Sequence, residues 1–329
     1  MATYKGIQGR SVQSLSSDPS SIEDSRGQIW YNSTTGTFKL ATENDLSTGA
    51  WASAPSINTA RYYFHGAGSP TAGLVAAGSP GGRHTETYDG STWTAVNTLN
   101  AIKSYPGVGG SSTAALCAGS QPPGNEANTE LWNGTCWAET SNLNTSRGNA
   151  GPVKGPTTAA IVMGGAGGDI PGDSGATETF DGTSWTETGH NMNSPAVQGK
   201  AGLGIQTAAM SVGGEPTATV SETYNGTTWT EGSDINTGRG NFSGSGTVTA
   251  GIIFGGYPYA EGQKSETYDG TSWSAAPTIS QSHGSGCAGG DVGSSISGSF
   301  IAGGYAPGMV SNVDHWTYTQ FAAKTVTVT

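Results

Sequence analysis

The sequence has little charge and few basic residues. Charged residues make up 11% of its 329 positions, and 13 lysines and arginines stand against 24 acidic residues, which gives a formal net charge of −11. A surface that binds nucleic acid needs clustered lysine and arginine, and the basic residues here form no run. The composition therefore argues against a nucleic-acid partner and against an anionic membrane surface.

Long hydrophobic runs are also missing. No stretch approaches the ~20 apolar residues of a transmembrane helix. The first residues, Met1 to Gln8, lack the apolar segment of a signal peptide. We therefore expect no membrane insertion, synthesis in a cytoplasm and no export by the usual secretory route.

Cysteine is scarce. Cys117, Cys136 and Cys287 are an odd number without metal-ligand spacing, so they predict neither a disulfide framework nor a metal site. We expect small, buried, apolar cysteines, and we predict no metal and no cofactor.

Glycine and aromatic residues, by contrast, are abundant and recur in a repeated segment. The pattern Glu-x-aromatic-Asp/Asn-Gly-x-x-Trp occurs at residues 86–93, 130–137, 178–185, 222–229 and 266–273. Asp314 to Trp316 is a worn sixth copy, and Trp51 supplies its missing closing tryptophan. Successive tryptophans from Trp51 to Trp273 are 42, 44, 48, 44 and 44 residues apart. This spacing is typical of a four-stranded propeller blade.

Two further elements recur between these segments. Six copies of a short apolar run, such as residues 158–165, each fit a strand buried on both faces. An asparagine follows the tryptophan by about seven residues, for example at Asn58, Asn100, Asn144 and Asn236. We interpret this asparagine as turn chemistry between blades.

These elements together predict the fold. The Asp-Gly and Asn-Gly pairs favour tight hairpins because both tolerate positive φ. A single repeat cannot bury its own faces, so the repeats must stack into a ring. We predict an all-β chain whose residues 47–320 form a six-bladed β-propeller, closed by the N-terminal strand around Trp51.

The glycine doublet, the aromatic residue and the spaced tryptophan resemble the kelch family of propellers. The resemblance covers residues 47–320, and two copies, Ala77-Gly78 and Gly119-Ser120, depart from the full doublet.

The two ends of the chain lie outside the repeats. Residues 1–46 contain a predicted hairpin, Gly27 to Lys39. Together with the sequence up to Trp51, this segment resembles a module of tailed-bacteriophage structural proteins, and the whole chain resembles kelch-type virion proteins of marine phages. Residues 321–329 alternate β-branched residues, and we interpret them as a tail that forms an edge strand or contacts a partner chain.

The resemblance implies a non-enzymatic virion structural protein: a tail-fibre or receptor-binding component, or a surface decoration. Residues 1–46 would attach it to other virion proteins after assembly in the host cytoplasm, and the propeller would bind a host-surface glycan or protein. The location on the particle and the oligomeric state stay open. The alternative is a cytoplasmic kelch-type adaptor, and a glycan-active, sialidase-like enzyme is a third hypothesis.

Three arginines are candidates for an anion site on the propeller axis. Arg61, Arg147 and Arg239 occupy equivalent positions in alternate repeats, and three such groups can hold an anion. The other interpretation is that each arginine anchors its own blade, because repetition alone produces periodic placement.

Variable loops supply the remaining candidates. Asp169 and Asp173 offer oxygens to calcium, or belong to a solvated loop. Tyr257 and Tyr259 lie in another variable loop, on the expected binding face. No catalytic residue is predicted, since the repeated turn places glycine directly after aspartate and does not match the Asp-box of sialidases.

Overall fold

The computed structural model describes residues 12–19, 27–43, 48–121, 126–149, 151–167, 175–194, 199–215, 218–284, 288–290, 298–305, 307–318 and 321–326. The described chain is all-β and forms seven sheets, with a 3₁₀ turn at Tyr259–Glu261. None of its helical segments is long and apolar enough to cross a membrane. The chain divides into two units: a terminal unit, Met1–Thr48 with Thr319–Thr329, and a repeat unit, Gly49–Tyr318.

The terminal unit contains one four-stranded sheet. Its strands are β1 (Gln13–Leu15), β2 (Ile29–Asn32), β3 (Thr37–Glu43) and, from the end of the chain, β30 (Phe321–Thr325). β1 is parallel to β2, whereas β2–β3 and β3–β30 are antiparallel. The predicted hairpin is thus present as β2 and β3. The structure groups β30 with that hairpin, where the sequence analysis treats residues 321–329 as a separate tail.

The other six sheets belong to the repeat unit, and neighbouring strands in each are antiparallel. Sheet 1 contains β5 (His65–Ser69), β6 (Ala72–Ala76), β7 (Thr85–Tyr88) and β8 (Trp93–Ala95). Sheet 2 contains β9 (Gly107–Gly110), β10 (Ala115–Ser120), β11 (Glu126–Trp132) and β12 (Trp137–Glu139), extended by β13 (Arg147–Gly148) and β16 (Ala166–Gly167). Sheet 3 contains β14 (Val153–Lys154), β15 (Ala160–Met163), β17 (Thr177–Phe180) and β18 (Trp185–Glu187).

The remaining three sheets follow the same plan. Sheet 4 contains β19 (Ala201–Ile205), β20 (Ala208–Val212), β21 (Ser221–Tyr224) and β22 (Trp229–Glu231). Sheet 5 contains β23 (Ser243–Gly246), β24 (Gly251–Phe254), β25 (Ser265–Tyr268) and β26 (Trp273–Ala276). Sheet 6 contains β27 (Ala288–Gly290), β28 (Gly298–Ala302), β29 (Val313–Thr317) and β4 (Ala50–Ala54).

Sheet 6 takes its outer strand from the opposite end of the repeat unit. β4 pairs with β29 in a register that places Trp51 opposite Trp316. The Trp51 indole N–H donates a hydrogen bond to Ser265 Oγ of sheet 5 at 3.2 Å. Trp51 therefore occupies the place that the closing tryptophan holds in the other sheets.

The first strands of the six sheets contact one another in a cycle. β5 lies beside β9, β9 beside β14, and so on through β19, β23 and β27, which lies beside β5 again. Approach between these strands is close: a Cβ added to Gly109 would lie 2.7 Å from the carbonyl oxygen of Val153 in the next sheet. This arrangement is β-propeller-like.

Tryptophans join neighbouring sheets. The indole N–H groups of Trp137, Trp185 and Trp229 donate to threonine hydroxyls of the preceding sheet at 2.9, 3.1 and 3.1 Å. Within its own sheet each tryptophan packs on the aromatic residue before the hairpin turn, as Trp93 does on Tyr88 at 5.0 Å between ring centroids. These indoles are 5–7% exposed, so the gaps between sheets are the core of the repeat unit.

The cysteines only partly follow the sequence expectation. Cys117 is buried, and burial raises the pKa of its thiol to about 12. Cys136 is exposed in the turn between β11 and β12, so the prediction of a buried residue is wrong there. Its turn needs no apolar residue because Asn133 Oδ1 accepts hydrogen bonds from two backbone N–H groups. Cys287 lies outside the described residues.

Candidate binding face

A buried carboxylate recurs in each sheet of the repeat unit. In sheet 3, Glu178 Oε2 accepts hydrogen bonds from the backbone N–H and the side-chain amide of Asn144 at 2.7 and 3.0 Å. Its Oε1 accepts from Arg147 Nη2 at 2.8 Å. The amide of Asn144 also donates to the carbonyl of Trp185 at 3.0 Å. The connection entering each sheet is thereby fixed to the sheet's third strand, and we call this arrangement the carboxylate site.

The six carboxylate sites share one plan but differ in the cation. The carboxylates are Glu86, Glu130, Glu178, Glu222, Glu266 and Asp314. The residues that donate to them from the entering connection are Asn58, Asn100, Asn144, Asn193, Asn236 and Ser280. The side chains at the arginine position of sheets 1, 2, 3, 5 and 6 are Arg61, Lys103, Arg147, Arg239 and His283. The three arginines and His283 contact the carboxylate, whereas Lys103 donates to the carbonyls of Gly119 and Asn128. The asparagines therefore act through their side chains on the next sheet and not only as turn residues.

The three arginines predicted as an axial anion site form ion pairs with these carboxylates. Arg61, Arg147 and Arg239 are 0–1% exposed, and each is ion-paired with the glutamate of its own sheet. Burial lowers the pKa of Arg61 and Arg239, against the opposing effect of the paired glutamates. Their contacts are those of the anchoring interpretation, since each guanidinium also donates to carbonyls of its own sheet.

Sheet 6 combines a serine, an aspartate and a histidine without forming a catalytic triad. His283 Nε2 lies 3.0 Å from Asp314 Oδ2, and its Nδ1 lies 2.8 Å from the carbonyl of Gly303. Ser280 donates to the same aspartate. A triad needs the imidazole between the serine and the aspartate, whereas here the aspartate lies between them. The histidine takes the place of arginine.

Sheet 4 departs most from the plan. Ala196 holds the sequence position of the arginine and lies outside the described residues. Lys200, four residues further on, is 5% exposed and donates to the carbonyl of Ser194 at 3.4 Å. Burial lowers the pKa of Lys200 to about 8, with Glu222 opposing the shift.

Directly beyond these carboxylate sites, the side chains of the entering connections differ from sheet to sheet. The residue two positions after the cation has a positive φ of 58° at Tyr63, 54° at Tyr105, 44° at Asn149 and 52° at Asn241. Gly199, in sheet 4, has φ 69°. These five residues line a cavity of about 10 Å³, room for about one water molecule. The backbone geometry of this ring repeats, but its side chains do not.

Six tyrosines form a continuous cluster at this ring, which we call the tyrosine arc. Its members are Tyr257, Tyr259, Tyr305, Tyr62, Tyr63 and Tyr105, in order of contact. Centroids of successive rings lie 5.5, 5.6, 5.6, 4.2 and 3.7 Å apart, and the last pair is stacked. Tyr257 and Tyr259 are 40% and 43% exposed.

The tyrosine arc contains two of the residues singled out from the sequence. Tyr257 and Tyr259 lie at one end of it. Sequence reasoning missed Tyr62, Tyr63, Tyr105 and Tyr305. For Tyr63 and Tyr105 the available signal was a large aromatic residue where other repeats carry asparagine or glycine. Asp169 and Asp173 lie outside the described residues.

Polar side chains adjoin the arc. The Asn241 amide donates to Glu215, and the presence of Glu215 contributes to the raised pKa of Tyr63, after burial. Beneath the ring, His65 Nδ1 lies 2.7 Å from the carbonyl of Pro106, and burial lowers the pKa of His65 to about 4. The histidine is therefore neutral at pH 7. Among the described residues no three acidic, histidine or cysteine side chains are grouped to hold a metal ion.

Comparisons with known proteins indicate the fold alone. No family model and no curated protein matches the chain. Among solved structures, one titled "Structure of YjhT" is similar, with a TM-score of 0.62 and 12% sequence identity. The match covers 82% of this chain and 99% of that chain. The likeness, together with the four-stranded antiparallel sheets, supports a β-propeller-like architecture.

Proposed function

We propose that this chain is a non-enzymatic bacteriophage virion protein. Its repeat unit is a six-bladed kelch-like propeller, closed by β4 and displayed for binding. Its terminal unit attaches the propeller to other virion proteins. The observation that carries the proposal is the tyrosine arc, an asymmetric aromatic face on an otherwise repetitive ring.

The cycle of contacts supports six blades and closure. Each first strand has a neighbour on both sides, and β27 meets β5. Pairing β29 with β4 gives sheet 6 its fourth strand from the start of the repeat unit. A ring joined in this way leaves only short, protected sheet edges.

The terminal unit supports attachment through its own exposed apolar side chains. Ile29 and Phe38 are 39% and 40% exposed. Phe38 packs on Tyr31 of the neighbouring strand, with centroids 5.3 Å apart. An apolar group of this kind on a small sheet is suited to protein–protein contact.

Recurrence of the buried acid–base groups supports a non-enzymatic role. Glu86, Glu178 and Glu266 make the same contacts in three sheets. A catalytic centre needs one asymmetric constellation, whereas these ion pairs repeat. The alternative, a cytoplasmic kelch-type adaptor, would use the same arc for a protein partner and leave the terminal unit without a particle to bind.

Two variants of the full chain separate the two units. We would measure binding of the wild type, Ile29→Ser/Phe38→Ser and Tyr257→Ala/Tyr259→Ala to disrupted phage particles and to intact candidate host cells. We expect the first variant to lose particle binding and keep cell binding, and the second to do the reverse. A wild-type chain that binds no particle component would remove the virion assignment and put the adaptor first.

A further inference from the structure

We infer that the tyrosine arc, with the amide and carboxylate groups beside it, binds a neutral carbohydrate. The inference rests on the proposed function only in taking the repeat unit as a binding module, and it holds equally for a propeller that is not on a virion.

The arc breaks the symmetry of its scaffold. Its tyrosines lie in loops of sheets 5, 6, 1 and 2. At the position that Tyr63 and Tyr105 hold, the connections entering sheets 3, 4 and 5 carry Asn149, Gly199 and Asn241. A few residues away in the same connections, the carboxylate sites keep nearly the same contacts from sheet to sheet. A cluster of six tyrosines is therefore not a by-product of repetition.

Backbone strain points to the same face. Tyr63 and Tyr105 both adopt positive φ, a region that bulky residues rarely occupy. Other sheets place asparagine or glycine there, which tolerate this conformation. The fold thus has better-suited residues for these positions and carries tyrosine instead. Strain of this kind clusters at binding sites.

The chemistry of the arc matches a pyranose ring. The negative faces of aromatic rings attract the weakly positive C–H groups on the flat side of a sugar. Phenolic hydroxyls and the Asn241 amide can donate to and accept from sugar hydroxyls, and the Glu215 carboxylate can accept from them. A row of rings at 4–6 Å between centroids offers several such contacts along one glycan chain.

The charges around the arc favour a neutral ligand. Lys154 donates to the carbonyl of Gly244, and Lys200 points to the carbonyl of Ser194, so both ammonium groups have partners inside the repeat unit. Glu215 is the acidic group whose charge acts on Tyr63 and Tyr105. Phosphate, sulfate and carboxylate ligands would meet this negative charge beside the arc.

A protein ligand fits less well. Protein interfaces concentrate their energy in anchor side chains that fill a pocket near the centre. The cavity enclosed by Tyr63, Tyr105 and Asn241 has room for only about one water molecule. This described cavity cannot take in a large side chain, whereas a ligand that lies across the rings needs no such pocket.

Affinity electrophoresis tests the inference without knowledge of the host. The full chain would be run through native gels containing dextran, guar galactomannan, laminarin, heparin or alginate. We expect retardation by at least one of the three neutral polysaccharides and by neither anionic one. The retardation should persist in 0.5 M NaCl, because no ion pair contributes.

Variants connect the result to the arc. Tyr62→Ala and Tyr257→Ala/Tyr259→Ala should each weaken the retardation at least tenfold. Tyr105→Asn, which installs the residue found at the same position in sheets 3 and 5, should do the same without unfolding the chain. The matched control is Tyr31→Ala, which removes a tyrosine from the terminal unit and should leave the retardation by polysaccharide unchanged.

Three results would overturn the inference: no retardation by any neutral polysaccharide, retardation by heparin or alginate alone, or retardation that the arc variants leave unchanged. Particle binding is not measured here, so failure of the carbohydrate inference is distinguishable from failure of the virion proposal. A chain that binds cells through the arc, but only to their proteins, would keep the proposed function and refute the carbohydrate.

Discussion

Arg61 and Tyr63 are two residues apart in the chain, yet they belong to regions built on opposite principles. Arg61 sits in a carboxylate site that recurs around the repeat unit with nearly the same contacts. Tyr63 sits in an arc that crosses one part of the ring and has no counterpart among the other described connections. One region is periodic and buried, and the other is irregular and partly exposed.

The difference teaches how to separate stability from function in a repeat protein. Each sheet must fix its entering connection, so every sheet keeps a buried carboxylate with hydrogen-bond donors. A ligand needs only one face, so positions on that face are free to diverge. Departures from the repeat therefore identify the binding surface, provided that the backbone around them is unchanged, as the shared positive φ values show.

The largest effect should come from breaking a carboxylate site. Arg147→Met leaves Glu178 buried without its cation, and we expect a loss of about 3–5 kcal/mol in the free energy of unfolding. Urea unfolding followed by tryptophan fluorescence measures it. Glu178→Gln in the same chain should restore part of the loss, because the unpaired charge is gone.

The matched change on the other side of the comparison is Tyr257→Ala/Tyr259→Ala. Both side chains are about 40% exposed, so we expect a change within about 0.5 kcal/mol per residue. If this variant were as unstable as Arg147→Met, the arc would be part of the core, and the division between the two regions would be wrong.

Sheet 4 provides a pH-dependent test, because Lys200 is buried four residues beyond the position that carries arginine in other sheets. The pKa of Lys200 is lowered from 10.5 to about 8 in the folded chain. Below pH 8 the ammonium is charged in both states, and the cost of burying it is fully present. Between pH 8 and 10.5 the unfolded chain holds a proton that the folded chain has released, so stability rises with pH by up to ~3 kcal/mol.

Lys200→Met isolates this contribution from other titrating groups. The unfolding free energy of the wild type should increase relative to that of the variant as the pH is raised from 7 to 10.5. A difference that stays constant across this range would mean that Lys200 is not buried in the folded chain.

Much of the sheet architecture could be predicted from the sequence, because its determinants are local and repeated. The spacing of the tryptophans and the absence of a repeat before Trp51 pointed to the pairing found between β4 and β29. The asparagine was recognised only as a turn residue, since its contact with the glutamate of the next sheet, 28 to 34 residues away, leaves no local pattern.

The binding face was harder to predict for the same physical reason. Tyr257 and Tyr259 were found because they lie in a variable loop. Tyr63 and Tyr105 are 42 residues apart and stack only because neighbouring connections converge at the ring. Nothing in the sequence near either tyrosine specifies that contact.

A smaller effect than that of Arg147→Met is predicted from a gap in the periodic region. Among the described residues the indole N–H of Trp93 has no hydrogen-bond partner, although it is buried. The preceding sheet places Val313 where other sheets place threonine or serine, such as the Thr177 that accepts from Trp229 at 3.1 Å. Val313→Thr keeps the shape and supplies an acceptor.

We expect Val313→Thr to stabilise the chain by about 1 kcal/mol, because it pairs a buried donor that already bears the cost of desolvation. The matched reverse change, Thr177→Val, should cost about the same by removing the partner of Trp229. Thermal unfolding of both variants checks the pair. If Val313→Thr were destabilising while Thr177→Val were neutral, the indole–hydroxyl bonds would not stabilise the junctions between sheets, and packing of the tryptophans alone would account for the periodic region.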